Sequence, residues 1–312
     1  MQGQTSSYVI TRMLAAPASA LLTTLANVKD ELTILSTDIS NDGSLTRMIG
    51  EESAKIARYC NRIFGLATWQ DEFRPQRGVR GEGVRASTNP LMLSHYPLAN
   101  GAAVVFTGNT HSSKVVDGIA STAGITAGMI VAATDGSIPA GTTVRTVNPF
   151  SLVLTAAATS SVTGQTLSAG MNVVETVAGT ATWLEAGTDY EIELGTLLPG
   201  DEGVGRIYRL NELGNPKTWP AAMILVQYQA GYSLPNDTCQ TPNLPLDLQS
   251  VCIRLVVGRY KARGRDPSLV ERAQTSGIGT ERYWIGSSPG QRGPYPNDIM
   301  AVLDAYRTPV VA

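Results

Sequence analysis

Histidine is almost missing from this chain of 312 residues. His95 and His111 stand far apart, each without a nearby Cys or second His, so the spacing of a metal site is absent. A Ser or Cys nucleophile needs a base, and neither imidazole has a recognisable setting for that work. No G-x-S-x-G, P-loop or H-E-x-x-H occurs. Gly203-Val204-Gly205 leads into Ile207-Tyr208-Arg209-Leu210 rather than a helix, which removes dinucleotide binding. The expectation is no enzyme, with no catalytic residue, no cofactor and no metal.

Cysteine is scarce as well. Cys60, Cys239 and Cys252 have no C-x-x-C spacing and leave one thiol over. Cys60 and Cys252 sit in apolar helical rows and read as buried thiols of a reducing compartment. No apolar run reaches the ~18 residues of a membrane span, so no membrane partner is expected. Arg12 precedes a mildly apolar Met13–Ala16, but Pro17, Ser19, Thr23 and Thr24 break the run, and Tyr8–Ala26 is not read as a signal peptide. Charge is sparse: 16% of residues, net −2. Such a chain is not built to grip nucleic acid over its whole surface. Lean ionic surface with 31 glycines suggests instead that partners cover much of it.

What is present begins with Asn243–Arg265, expected as the central helix. Leu244, Leu246, Leu248, Val251, Cys252, Ile253, Leu255, Val256, Val257 and Tyr260 cover more than one stripe, which predicts a helix enclosed on most of its girth. Asn243 is the expected N-cap and Pro245 fits the first turn. Asp247 suits the N-terminal dipole, Arg259, Lys261 and Arg263 the C-terminal one, with Gly264 and Pro267 as the stop.

Residues 1–16 read as a loose arm. Thr24 caps a first helix with Leu25, Val28 and Leu32 on one face, and Ser44 or Asp42 caps a second, running to Phe64. Its inner row is Leu45, Met48, Ile49, Ile56, Tyr59, Cys60 and Ile63, interrupted at Glu52, and Glu51 is set to pair with Lys55. The hairpin runs into a strand at Thr68–Arg74. Arg74, Arg77, Arg80 and Arg85 then alternate with Gly78, Gly81 and Gly83. This loop could be a basic tongue for phosphate or an acidic partner, but Glu82 dilutes its charge, and a solvated hairpin tip is the preferred reading.

Gly108–Gly170 changes character: Thr, Ser, Gly and Ala, little charge, Phe150 as its one aromatic. Short β-branched runs alternate with turn signals such as Asp117-Gly118, Asp135-Gly136 and Asn148-Pro149, predicting a compact all-β insertion. Further on, Tyr190, Ile192 and Leu194 alternate with Asp189, Glu191 and Glu193. Paired acids can be acid–base machinery, but three on one strand face read as a solvated surface. Met223–Tyr228 is another strand. Pro267–Ser276 is expected as a short helix, Gly277–Gly293 as a loop holding Tyr283 and Trp284, and Asn297 as the cap of a last helix with Ile299, Leu303 and Tyr306 in register.

These pieces, in this order, resemble the head–tail connector (adaptor) proteins of tailed bacteriophages and gene transfer agents. The resemblance is carried by ALLTTLANVKDEL with SLTRMIGEESAKIARYCNRIFG, then ATWQDEFRP, LMLSHYPL, WLEAGTDYEIEL, GRIYRL and TWPAAMILVQYQAGYSLP. It continues through PLDLQSVCIRLVVGRYKARGRDPSLV and PNDIMAVLDAYRTPVV. Y-x-A-G-Y before an apolar helix, R-x-R-D-P and a terminal L-D-x-Y-R are specific in combination, and Gly108–Gly170 stands outside the match.

The resemblance implies an α+β fold, a mainly helical adaptor core made of the N-terminal hairpin and long C-terminal helices. Residues 1–107 and 171–312 would form that core and 108–170 the inserted β module. It also implies a homo-oligomeric, dodecameric ring of the virion neck, made in the host cytoplasm. The ring would dock beneath the portal protein and meet a tail, stopper or tail-terminator protein, with genome DNA passing through its lumen without specific binding. Gly277–Ala312 would order itself on docking, and Tyr283, Trp284, Arg292, Tyr306 and Arg307 are the expected portal or neighbour contacts. Two other readings stay open: a tail completion or stopper protein of the same neck, and a carbohydrate-binding β protein centred on Gly108–Leu194.

Overall fold

Sheet rather than helix carries most of the backbone in the computed structural model. It describes residues 8–74, 90–99, 104–193, 197–198, 201–202, 205–220, 222–237, 242–263, 271–276, 279–284 and 295–308. These residues form nineteen strands and four helices. The expectation of a mainly helical core is therefore wrong. A helix announces itself within one window of sequence, whereas a short strand takes its identity from partners far along the chain.

The chain divides into two compact units. The first is built from residues 1–18, 65–233 and 237–241. Its strands are β1 (Tyr8–Ala15), β2 (Ala67–Arg74), β3 (Leu91–Met92), β4 (Val104–His111), β5 (Val115–Asp117), β6 (Val131–Ala133), β7 (Val144–Asn148) and β8 (Ser151–Leu154). There follow β9 (Ser161–Ala169), β10 (Asn172–Val177), β11 (Thr180–Leu184), β12 (Tyr190–Glu193), β13 (Leu197–Leu198), β14 (Asp201–Glu202), β15 (Arg206–Leu210), β16 (Pro216–Lys217) and β17 (Met223–Ala230).

A five-stranded antiparallel sheet runs in the order β1-β2-β17-β10-β11. The expected loose arm is in fact β1, paired with β2 from Tyr8↔Arg74 to Ala15↔Thr68. β2, flanked on both sides, is buried at six of its eight positions, as a central strand should be. β12, β15, β16 and β3 form a second sheet. Trp219, Tyr190 and Tyr228 are wholly enclosed in the core that these sheets share with Trp69, Ile207 and Ile224. Each such ring removes ~150–250 Å² from water, which makes these aromatics the largest contributors to this core.

Residues 104–169 make a six-stranded sheet in the order β6-β9-β4-β5-β8-β7, antiparallel throughout, with Val104 opposite Ala169. It has its own core, in which Val116, Leu152 and Leu154 are fully enclosed. Gly108 is required where β4 passes β5: a Cβ there would lie 2.9 Å from Val116 Cγ1 and 3.2 Å from the Asp117 carbonyl oxygen. Gly170, at φ 125°, turns the chain from β9 into β10 within two residues.

The second unit spans residues 19–64, 234–236 and 242–312. It holds α1 (Leu25–Glu31), α2 (Asp42–Cys60), α3 (Leu246–Lys261), β18 (Glu271–Ser276), β19 (Gly279–Trp284) and α4 (Asn297–Ala305). Thr24 caps α1, its hydroxyl accepting from Asn27 N at 3.2 Å. α2 buries Leu45, Met48, Ile49, Ile56 and Cys60 and ends on Asn61 at φ 49°. Asn41, not Ser44 or Asp42, is its cap residue. α3 starts after Pro245 rather than at Asn243. It is enclosed on one face only, at Leu248, Val251, Cys252, Val256 and Val257, with Leu246 80% exposed. The short helix expected at Pro267–Ser276 is contradicted over 271–276, where the backbone pairs with β19. α4 buries Ile299 and Leu303, and Tyr306 just beyond it, the row read from the sequence, but Pro296 rather than Asn297 precedes its first turn.

Candidate interaction surfaces

The contact residues expected from the sequence scatter once placed. Tyr306 is 3% exposed: its hydroxyl donates to the Asp247 carboxylate at 2.8 Å, and its ring meets Phe64 edge-on at 6.4 Å. It fastens the end of α4 to the start of α3 and presents no surface of its own. Arg307, one residue on, is exposed and lies over the Tyr59 ring at 5.5 Å. Tyr59 in turn donates to Asp304 at 2.8 Å, and that bond, with some burial, holds its hydroxyl above the usual tyrosine range. Arg74 ends β2, with its Nε 2.6 Å from Glu72 Oε1. Tyr283 and Trp284 lie on β19, opposite Arg272 and Glu271; their side chains, like Arg77, Arg80, Arg85 and Arg292, lie outside the described residues.

Within the helical unit the polar side chains tie α2 to α3. Arg259 reaches Glu52 at 3.0 Å and also pairs with Glu51; Lys55 Nζ sits 2.8 Å from Glu52. The expected Glu51–Lys55 pair is replaced, because Glu52, 4% exposed, needs both cations. Arg263 bonds to Asn41 and Ser44, which sets the end of α3 beside the start of α2. Arg254 pairs with Asp298 at 2.5 Å, adding α4. Cys252 Sγ lies 3.6 Å from Ser53 Oγ, and burial pushes its thiol up to about 11, the Ser53 hydroxyl pulling the other way. This unit keeps large apolar groups in water at Leu246, Leu35 and Ile39. Sequence periodicity had placed Leu246 inside.

Of the acidic row at β12, Asp189, just before the strand, and Glu193 are ion-paired. Asp189 sits 3.0 Å from Arg209 Nη1, and Glu193 accepts from Tyr208 Oη at 2.7 Å and Arg206 Nη1 at 3.3 Å. The Tyr208 hydroxyl, then Arg206, holds Glu193 below the usual carboxylate range. Burial acts upward on Asp189, but the Glu185 amide and Arg209 outweigh it, leaving its carboxyl low too. Carboxylates held ionised by neighbours are poor proton donors near neutral pH.

One polar cluster escaped sequence reading. Asp71, fully buried on β2, accepts from Thr11, the Ser94 amide and Tyr228. Tyr228 also accepts from the His95 amide at 3.1 Å, and the His95 ring stacks on Trp69 at 3.5 Å. Burial and then the Asp71 charge push the Tyr228 hydroxyl far up, so it stays a donor. Asp71 beside Glu72 in a strand pattern gives no signal of such a role. His111 Nε2 lies 2.9 Å from Asp117 Oδ1 at the surface. Among the described residues no group of three or more His, Cys, Asp or Glu could hold a metal ion, and no helix is long and apolar enough to cross a membrane.

No protein-family model and no curated protein sequence matches the chain. Two solved structures contain chains similar to it from end to end. One is "Neck of empty GTA particle computed with C6 symmetry", at 13% identity over 97% of each chain with a TM-score of 0.35. The other is "Virion of native gene transfer agent (GTA) particle", at 12% identity, the same coverage and a TM-score of 0.35. Likeness of that depth fixes neither a fold nor a role for this chain.

Proposed function

We propose that the chain is a structural subunit of the head–tail neck of a tailed phage or gene transfer agent particle. In this reading it is an adaptor, closing with its copies into a ring that docks beneath the portal and continues the DNA channel toward the tail. One observation carries the reading. The adaptor-like segments at residues 20–64, 245–270 and 296–311 come from both ends of the sequence, and their helices α2, α3 and α4 pack together. Arg254–Asp298, Arg259–Glu52 and Tyr306–Asp247 tie them side by side, and the Thr308 amide closes onto the Cys60 carbonyl at 2.9 Å.

The surface suits assembly. Leu246, Leu35 and Ile39, at 75–80% exposure, are apolar groups that neighbouring subunits would cover. Closure into a ring requires a head-to-tail interface, in which two different patches of one subunit meet. The slight net negative charge suits a channel that must not hold DNA phosphates.

The test is to mix purified chain with portal rings of the same particle and image the mixture by negative stain after gel filtration. A collar on one face of the portal is expected from wild-type chain, and none from Leu246→Asp, whose unfolding midpoint should match wild type because the side chain is already in water. A chain that binds tail ends and ignores the portal would be the stopper or tail completion protein instead. Binding to neither would end the neck reading.

A further inference from the structure

Where the chain leaves the six-stranded sheet at Ala169 and enters the five-stranded one at Asn172, the first unit has a half-open cavity of ≈190 Å³. Leu167 and Ser168 come from β9, Asn172 from β10, and Trp183 and Leu184 from β11, with Glu185 following at the rim. Asn172 is 3% exposed, and its Nδ2 has no hydrogen-bond partner. Its Oδ1 accepts from Ser168 Oγ. Turning the amide over would only exchange which end is open, so one terminus is unanswered either way. Buried amides are nearly always satisfied, and an open one in a cavity wall calls for something to satisfy it.

The lining selects the class of that something. It contains no Lys, Arg or His, and Glu185 adds a negative charge, so phosphates, sulfates and carboxylates meet no counter-charge. Trp183, partly exposed on an edge strand, is the one aromatic side chain of the lining and offers a flat apolar ring. Facing needs are therefore one apolar face and a few hydroxyls able both to donate and to accept, to satisfy Asn172 and Glu185. The volume admits one ring. We propose that this cavity binds a single neutral sugar ring, its C–H face against Trp183 and its hydroxyls on the Asn172 amide and the Glu185 carboxylate. The proposal stands on this geometry and is independent of the neck reading.

The experiment is saturation-transfer NMR on the full chain with D-glucose, D-galactose or N-acetyl-D-glucosamine as the probe. A saturable signal from at least one is expected, with a dissociation constant of about 1–10 mM, as befits so small a ligand. Trp183→Ala should abolish it, and Asn172→Ala or Glu185→Ala should weaken it about tenfold; Glu185 is exposed, so that variant keeps its fold even if Asn172→Ala does not. Three results would overturn the proposal: no saturable transfer from any of the sugars up to about 100 mM, transfer that survives Trp183→Ala with circular dichroism unchanged, or glucose 6-phosphate outcompeting glucose.

Discussion

Replacing Asp71 separates a hydrogen-bond account of the five-stranded sheet from a charge account. Its Oδ1 accepts from Thr11 Oγ1 at 2.7 Å, and its Oδ2 from the Ser94 amide and Tyr228 Oη at 2.8 Å each. Thr11 Oγ1 also lies 2.8 Å from Ser94 Oγ, and with one proton it donates in only one direction at a time. In Asp71→Asn the amide oxygen can hold the Ser94 and Tyr228 donors while its NH₂ donates to Thr11, whose own proton turns to Ser94 Oγ. The Thr11, Ser94 and Tyr228 partners all stay paired, and the loss is mainly charge assistance, about 1–2 kcal/mol. Asp71→Ala instead leaves the buried Tyr228 hydroxyl without an acceptor, at about 1–3 kcal/mol, and strips the part-buried Ser94 amide of its partner at a smaller cost because water can reach it, for a total of about 2–4 kcal/mol. Urea unfolding followed by tryptophan fluorescence reads the difference, because Trp69 is two residues away. Equal losses in the two variants, or an alanine loss under about 1 kcal/mol, would refute the reasoning.

Arg259→Met should cost about 1–3 kcal/mol in the same assay, since Glu52 stays buried with Lys55 alone; Arg259 is itself over a third exposed, which discounts the larger figure for fully buried pairs. Adding Glu52→Gln should recover part of that loss, and strict additivity would contradict the coupling. Acid should destabilise the first unit through Asp189 and Glu193. Both carboxyls are depressed in the folded chain, so their stabilisation is full above the unfolded carboxylate range near ~4 and disappears as pH falls through the lower folded values. Arg209→Met should flatten that loss between about pH 5 and 2; an unchanged slope would show that the pairing of Asp189 contributes nothing.

The helical rows were legible because their evidence is local. Leu45, Met48, Ile49, Ile56 and Cys60 recur over about four turns and are buried, whereas Tyr59 of the same expected row is half-buried and Ile63, beyond the end of the helix, is exposed. Turn dipeptides likewise marked the strands of residues 104–169, where Asp117-Gly118 straddles the end of β5 and Asn148-Pro149 the end of β7 before β8. What stayed hidden depends on distant partners. β1 is a strand because β2, some sixty residues later, offers it hydrogen bonds; YVITRMLA alone carries no clean alternation. The girth of α3 was overestimated because Leu246, Ile253 and Leu255 count as core by hydrophobicity, yet Leu246 is exposed and the other two are half-buried. Glu52 looked like a break in a row until Arg259, over two hundred residues away, supplied its counter-charge. Of the surface residues, Tyr306 was found by register but its inward role was not, since a tyrosine hydroxyl gives no sign of which acid it will meet.

The pairing of Val104 with Ala169 means that the polypeptide enters and quits the six-stranded sheet through one doorway. A cassette whose two ends touch exerts no leverage on its host: bridging them needs a link of only a few residues, and loop-closure entropy changes little when such a stretch lengthens or shrinks. Its strands can drift in sequence, or be traded for another fold with equally close termini, while the sheet built on β2 and β17 keeps its register.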